Sequence, residues 1–170
     1  EIVGDFTISE IVDRAMASVT SRKGCDEAVI KILTKILEQP APSIGGYRAG
    51  AIDAFWTGPL QWMLGAPYQD HADIVASFSQ KFEGRASLTE QTDGWCRFAV
   101  SGLGIDRLCS LLCNIDMRRF TTGAVSRTKI EHIGCFVLRL ADDKIQIVGP
   151  RSSATSLHHA IVTAARSAPF

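Results

Sequence analysis

Cys109 and Cys113 stand four residues apart, the spacing that puts two thiolates on one face of a helix and supplies half of a tetrahedral zinc site. The other cysteines, Cys25, Cys96 and Cys135, form no C-x-x-C pair, so the remaining two ligands have no source nearby in sequence. An odd set of thiols in apolar surroundings reads instead as small buried hydrophobes, kept reduced in a cytoplasmic protein. No metal ligand is expected.

The other reactive side chains are equally dispersed. His158 and His159 are adjacent on a helix and point about 100° apart, so they cannot chelate one ion together. His132 sits beside Glu131 in a turn, where a solvated pair is the default, and His71 stands alone. Asp53 and Asp116 each lack a second carboxylate to work with. Gly102-Leu103-Gly104 opens a helix after a strand, as a dinucleotide loop does. The third glycine of that fingerprint is replaced by Arg107, and the ribose-binding acid about twenty residues on is missing from Thr121 to Thr128. The turn therefore reads as a helix-positioning device. Neither a P-loop nor a G-x-S-x-G elbow occurs. No catalytic or cofactor-binding residue is expected on this chain.

Aromatics offer more. Phe55, Trp56 and Trp62 lie on one hairpin around Gly58-Pro59, and Tyr68 follows it. Neighbouring strand residues face opposite sides, so Phe55 and Trp56 cannot enter the same core. Either both sheet faces are covered or one ring meets a partner. Core packing is the ordinary fate of each ring, while large aromatics are enriched at interface centres. Phe55, Trp56, Trp62 and Tyr68 are the candidate partner-interface residues.

The elements that hold these residues follow from periodicity. Helices are predicted over Asp26 to Gln39 (capped by Asp26), from a cap at Asp70 to Gly84, over Gly104 to Asn114, and from Ser152 or Ser153 to Arg166. Strands are predicted at Met16 to Arg22, Ile52 to Thr57, Leu60 to Leu64 and Ala86 to Glu90. A second set runs from Cys96 to Val100, Val125 to Ile130, Cys135 to Leu140 and Lys144 to Val148. Strand–helix–strand–strand–helix–strand appears once and a near copy follows with an extra strand. The fold class is α+β: two ferredoxin-like, split βαβ units, with antiparallel sheets and helices on one face. The halves are placed at 1–91 and 92–170, sharing one compact body.

Composition narrows the partners. The 170 residues are 46% hydrophobic and 21% charged, with 18 basic and 18 acidic side chains and no net charge. The densest basic cluster, Arg118, Arg119, Arg127 and Lys129, is short and interrupted, which argues against nucleic acid. No apolar run reaches the roughly 18–20 residues of a membrane span, and no secretory leader pattern opens the chain.

Three segments carry a family resemblance: Gly58-Pro59-x-x-Trp62, Leu111-Leu112-x-x-x-Asp116 and Arg151-Ser152-x-Ala154. From about Ile52 to Ala165 the chain resembles the gamma subunit of heterotetrameric sarcosine oxidase, a family related to the folate-binding fold of the glycine-cleavage aminomethyltransferase. Asp116 is followed by Met117-Arg118 where relatives carry Leu-His, and Leu60-Gln61 stands where they usually carry an acid before the Trp, the mark of a diverged paralogue. The resemblance implies a non-catalytic subunit bound to alpha, beta and delta partners. FAD, FMN, NAD and tetrahydrofolate would sit on those partners, none on this chain. The complex would oxidise an N-methyl amino acid such as sarcosine to glycine, formaldehyde or methylene-tetrahydrofolate, and hydrogen peroxide, in the cytoplasm. A gamma-type subunit of N-methylglutamate dehydrogenase is the alternative within this class. A free-standing folate-binding one-carbon protein and a ligand-sensing dimer are alternatives of other classes.

Overall fold

The computed structural model describes residues 1–168. Its first stretch is β1 (Ile2–Val3), β2 (Phe6–Glu10), β3 (Arg14–Ser21), α1 (Asp26–Leu37), β4 (Tyr47–Arg48), β5 (Asp53–Gly58) and β6 (Gln61–Pro67). There follow α2 (Ile74–Phe82), β7 (Ala86–Glu90), β8 (Trp95–Gly102), α3 (Ile105–Leu112), β9 (Val125–Ile130), β10 (Ile133–Ala141), β11 (Lys144–Pro150) and α4 (Ala154–Ser167). They divide into two units, Asp13–Thr92 and the pair Glu1–Val12 with Asp93–Phe170.

In the 13–92 unit the strands lie in the order β4-β5-β6-β3-β7, all neighbours antiparallel. Without the short β4, this is the β-α-β-β-α-β arrangement expected of a split βαβ unit. Ala15, Ala17 and Val19 of β3, Ala54 of β5, and Leu64 and Ala66 of β6 face α1 and α2. These small side chains leave room for Leu33, Phe78 and Phe82 from the helices, large against small across the layer. The alternate positions Met16, Phe55 and Met63 are buried as well, so this sheet is buried on both faces.

The other unit repeats the order with one substitution. Its sheet runs β1-β2-β8-β11-β10-β9, again antiparallel throughout. β8, β10 and β11 are the first three strands of a split βαβ unit, and β2 takes the fourth place beside β8. The expected first half of 1–91 is thus corrected: its first twelve residues belong with the second half. The reason is geometric. α4 is followed by no described strand, and the β8 edge it leaves open is filled by Phe6–Glu10, whose Phe6 and Ile8 enter the same core as Phe98 and Val100.

The close approach of β2 requires a glycine. Gly102 has φ +152°, and a Cβ there would lie 2.1 Å from the Asp5 carbonyl oxygen. Two helix starts also differ from expectation. Cys25, not Asp26, is the N-cap of α1, and Asp26 is a first-turn residue that accepts a hydrogen bond from the Ser21 hydroxyl at 2.8 Å. α2 is capped by Asp73 instead of Asp70, its carboxylate accepting from the Ala76 N–H at 2.8 Å. Asp70 and His71 are held in a turn by the Pro67 carbonyl. In the β5–β6 hairpin, Gly58 pairs with Gln61, which leaves Pro59 and Leu60 at the corner, with Leu60 at φ +57°.

These two backbone sites respond in opposite directions to substitution. Gly102→Ala is expected to cost about 3 kcal/mol or more, since neither backbone can retreat. Leu60→Gly relieves a left-handed leucine and should add about 0.5–1 kcal/mol. Urea unfolding of the two variants checks both signs.

Candidate functional site

The aromatic hairpin is the first place to look. Trp56 and Trp62 are direct cross-strand partners on the helix-packed face of their sheet. Trp62 is 3% exposed and its indole N–H donates to the Pro42 carbonyl at 2.9 Å. That bond, with the Trp56 N–H to Gly46 carbonyl bond at 3.0 Å, pins the loop connecting α1 to β4. Phe55 lies on the opposite face and is fully buried. Phe55 and Trp62 are therefore core residues, a correction to their expected place at a partner surface: the sheet is covered on both faces, the first of the two outcomes the alternation allowed. Trp56 is half-buried against the helix-side core, and Tyr68 is 48% exposed just beyond β6. The structure adds Ile44, 84% exposed at the corner of a turn closed by the Gly46 N–H to Ser43 carbonyl bond. Its signal in sequence is the run Pro42-Ser43-Ile44-Gly45-Gly46, a turn with an apolar residue at its tip.

The Gly102-Leu103-Gly104 turn does not suit a dinucleotide. The space over Gly102 is filled by the Asp5 backbone. The first turn of α3 carries Asp106, whose carboxylate accepts from Arg139 Nη1 at 2.6 Å, while Arg139 Nη2 donates to the Asp142 carbonyl at 2.8 Å. The 450 Å³ recess there is lined by Gly104, Ile105, Asp106, Arg107 and Asp142. The Asp106 carboxylate in the first turn of α3 opposes what a helix N-terminus offers an anion.

Other polar side chains serve the sheets. Arg14 Nη2 donates to the Asp53 carboxylate at 2.6 Å, the Ala51 carbonyl at 2.8 Å and the Gly65 carbonyl at 3.2 Å, tying β3 to the β5–β6 hairpin. Asp53 is 5% exposed. Arg97 of β8 is 2% exposed and donates twice to Gln146 Oε1, at 2.7 and 3.2 Å. Asp116 lies at the surface, and the hydrogen bond from Arg118 holds its carboxyl below the usual range. His158 Nε2 is 3.0 Å from a Glu1 carboxylate oxygen, and its ring lies 5.6 Å from that of Phe98.

All five cysteines are free, with Cys96, Cys109 and Cys135 buried. Burial pushes the Cys109 and Cys135 thiols up to about 12, the neighbouring Cys113 adding to both. Burial also raises Cys113 and Cys96, and the Cys96 thiol donates to the Gly149 carbonyl at 3.4 Å. A thiol held protonated by burial is a poor nucleophile at neutral pH. Among the described residues, no three of His, Cys, Asp and Glu converge on a point that could hold an ion. No helix among them is long and apolar enough to cross a membrane.

No protein-family model matches the sequence, and neither does any curated protein. Solved structures do. A chain of the heterotetrameric sarcosine oxidase from Corynebacterium sp. U-96, in complex with pyrrole 2-carboxylate, is similar at a TM-score of 0.81 and 15% identity, over 100% of this chain and 89% of that one. The glycine cleavage system aminomethyltransferase T from Bartonella henselae is similar at 0.67 and 13% identity over 96% of this chain. Only 50% of that chain is covered, so the present chain spans about half of its length. Clostridium acetobutylicum aspartate kinase is similar at 0.51 and 10% identity, with 35% of its chain covered. At such identities the likeness establishes the fold, the paired split βαβ arrangement read from the sequence.

Two measurements follow. Trp62→Ala should cost about 3–5 kcal/mol of fold stability, and Trp62→Phe about 1 kcal/mol for the lost bond to Pro42; equal melting temperatures for wild type and both variants would contradict a core role. The fold holds Cys109 and Cys135 in their protonated forms, with pKa values raised from an ordinary 9.0. Their contribution is therefore intact below about pH 9 and is withdrawn as pH climbs toward 12. Urea midpoints should fall through that window, less steeply in Cys109→Ala, and iodoacetamide should label half-buried Cys25 well before either buried thiol.

Proposed function

We propose that this chain is a non-catalytic, gamma-type subunit of a heterotetrameric flavoenzyme resembling sarcosine oxidase. One observation carries the reading: the whole chain matches a chain of such a heterotetramer that is scarcely longer than itself. The aminomethyltransferase match, by contrast, leaves half of that enzyme without a counterpart. The residues agree with a supporting role. Buried carboxylate Asp53 is held by Arg14, the thiols are held protonated, and the glycine turn is closed over by Asp5. The Asp5 backbone over Gly102 argues against a flavin or nicotinamide phosphate at that turn.

In this reading FAD, FMN, NAD and tetrahydrofolate belong to the larger alpha, beta and delta-bearing assembly. There an N-methyl amino acid loses two electrons from its methyl carbon. The methyl carbon leaves as formaldehyde after water adds, or passes to tetrahydrofolate, and oxygen takes the electrons as hydrogen peroxide. Sarcosine is the substrate favoured by the likeness; N-methylglutamate, with a dehydrogenase as the complex, is the alternative within the class. The cytoplasm is the proposed compartment, on the strength of the five unpaired cysteines. The likeness to half of an aminomethyltransferase supports a second reading, a folate-binding one-carbon protein, which predicts saturable tetrahydrofolate binding by the isolated chain.

Affinity purification of the tagged chain from its native host separates these. Yellow, flavin-bearing subunits that co-purify and form hydrogen peroxide with sarcosine are the expected result. A colourless homodimer or monomer that ignores flavin subunits would overturn the proposal.

A further inference from the structure

Helices α1 and α2 pack side by side on the same face of the 13–92 sheet, contributing Val29, Leu33, Leu37, Ile74, Phe78 and Phe82 to one core. They do not close over it completely. A groove of about 440 Å³ runs between them, lined by Ile32, Lys35 and Ile36 from α1, Lys81 from α2, and Glu83 and Arg85 just after it. Ile32 and Ile36 are one turn apart and half-buried, forming a short apolar floor. The cations stand along its sides. Glu83 is paired with Arg85, and among the described residues neither Lys35 nor Lys81 has a carboxylate partner. Lys81 leans over the Phe78 ring, its Nζ 5.4 Å from the centroid. The groove thus holds two uncompensated positive charges on a chain whose formal net charge is zero.

Both lysines lie in the last turns of their helices, where a cation is favoured by the helix dipole. That accounts for a positive charge at each position. It does not account for an apolar strip left half-open between them. A free inorganic anion would satisfy the lysines and leave Ile32 and Ile36 in water. A nucleic-acid backbone needs a longer run of cations than this groove provides. The chemistry that satisfies all four side chains is a polypeptide segment carrying an apolar residue flanked by carboxylates, as on one face of an amphipathic helix.

Resting on the subunit role proposed above, we infer that the α1–α2 groove is the docking site for an acidic, amphipathic segment of a partner subunit. An apolar side chain of that segment covers Ile32 and Ile36, and its Asp or Glu residues meet Lys35 and Lys81. Exposed charges of this kind set orientation and encounter rate as well as affinity, and the match is weakened by salt.

The test uses the co-purified complex. Treatment with a carbodiimide, which joins an ammonium to a carboxylate in direct contact, should link Lys35 or Lys81 to an Asp or Glu of a partner subunit in mass spectra. The double variant K35E/K81E should reduce the co-purified partner about tenfold or more. K35Q/K81Q, which removes the charges without setting anions against the helix dipoles, should give a smaller loss. Both should fold, with melting temperatures lowered by only a few degrees. K144E, a charge reversal on an exposed residue of the other unit, should leave co-purification as in wild type. Cross-links from these lysines to a second copy of this chain would overturn the inference. So would K35E/K81E complexes as abundant as wild type, and in that case the subunit role stands. Failure of wild type to bring down any flavin subunit overturns the subunit role itself, and the docking inference with it.

Discussion

Burial of both faces of each sheet is the constraint from which the other features of the structure descend. A sheet with one wet face can leave every second residue polar. Here the alternate positions Met16, Phe55 and Met63, and likewise Phe136, Leu138 and Val148, are buried too. Runs such as Cys135-Phe136-Val137-Leu138 therefore lose the alternation of a half-exposed strand. A polar group on the second face is buried as well and needs a partner there. Arg14 takes Asp53 and two carbonyls, and Arg97 takes Gln146. These side chains would look like chemistry in isolation, and the fold uses them as cross-strand ties.

The same constraint explains what could be read from the sequence. Helices and most strands have strong periodicity, and the structure finds them within a few residues; Ala86–Glu90 and Val125–Ile130 fall at the expected bounds. β2 was hidden because five residues, Phe-Thr-Ile-Ser-Glu, give too little pattern, and because its partner lies some ninety positions away. The unusual φ of Gly102 records that pairing, but a glycine in a Gly-Leu-Gly turn has several possible uses until Asp5 is seen against it. Asp70 and Asp73 are equivalent as caps on composition. Only the Pro67 carbonyl, which holds 70 and 71 in a turn, decides between them.

The aromatic hairpin shows a related limit. Alternation correctly separated Phe55 from Trp56, but it could not tell a covered second face from a partner surface. The bond from Trp62 to Pro42 settles the indole's place, because an interfacial ring has no need of a buried carbonyl from its own chain's loop. The loop so pinned then presents Ile44 to solvent on a rigid turn. Rigidity matters for association: a side chain already held in place loses less conformational entropy when a partner covers it.

The polar side chains of this fold fall into two kinds, those bonded within the fold and those left at its surface. The Arg14–Asp53, Arg97–Gln146 and Arg139–Asp106 contacts lie at least partly inside the fold and serve it. Lys35 and Lys81 are different in kind. Their ammoniums flank a half-open apolar strip; the helix dipole favours each charge, but among the described residues neither has a carboxylate partner. A strip of two isoleucines is too small to confer much affinity alone, and two lysines in water attract any anion weakly. Together they favour an occupant only when apolar and acidic groups arrive in fixed relation on one scaffold. That conjunction gives a surface with little affinity for free solutes and useful selectivity for a folded partner.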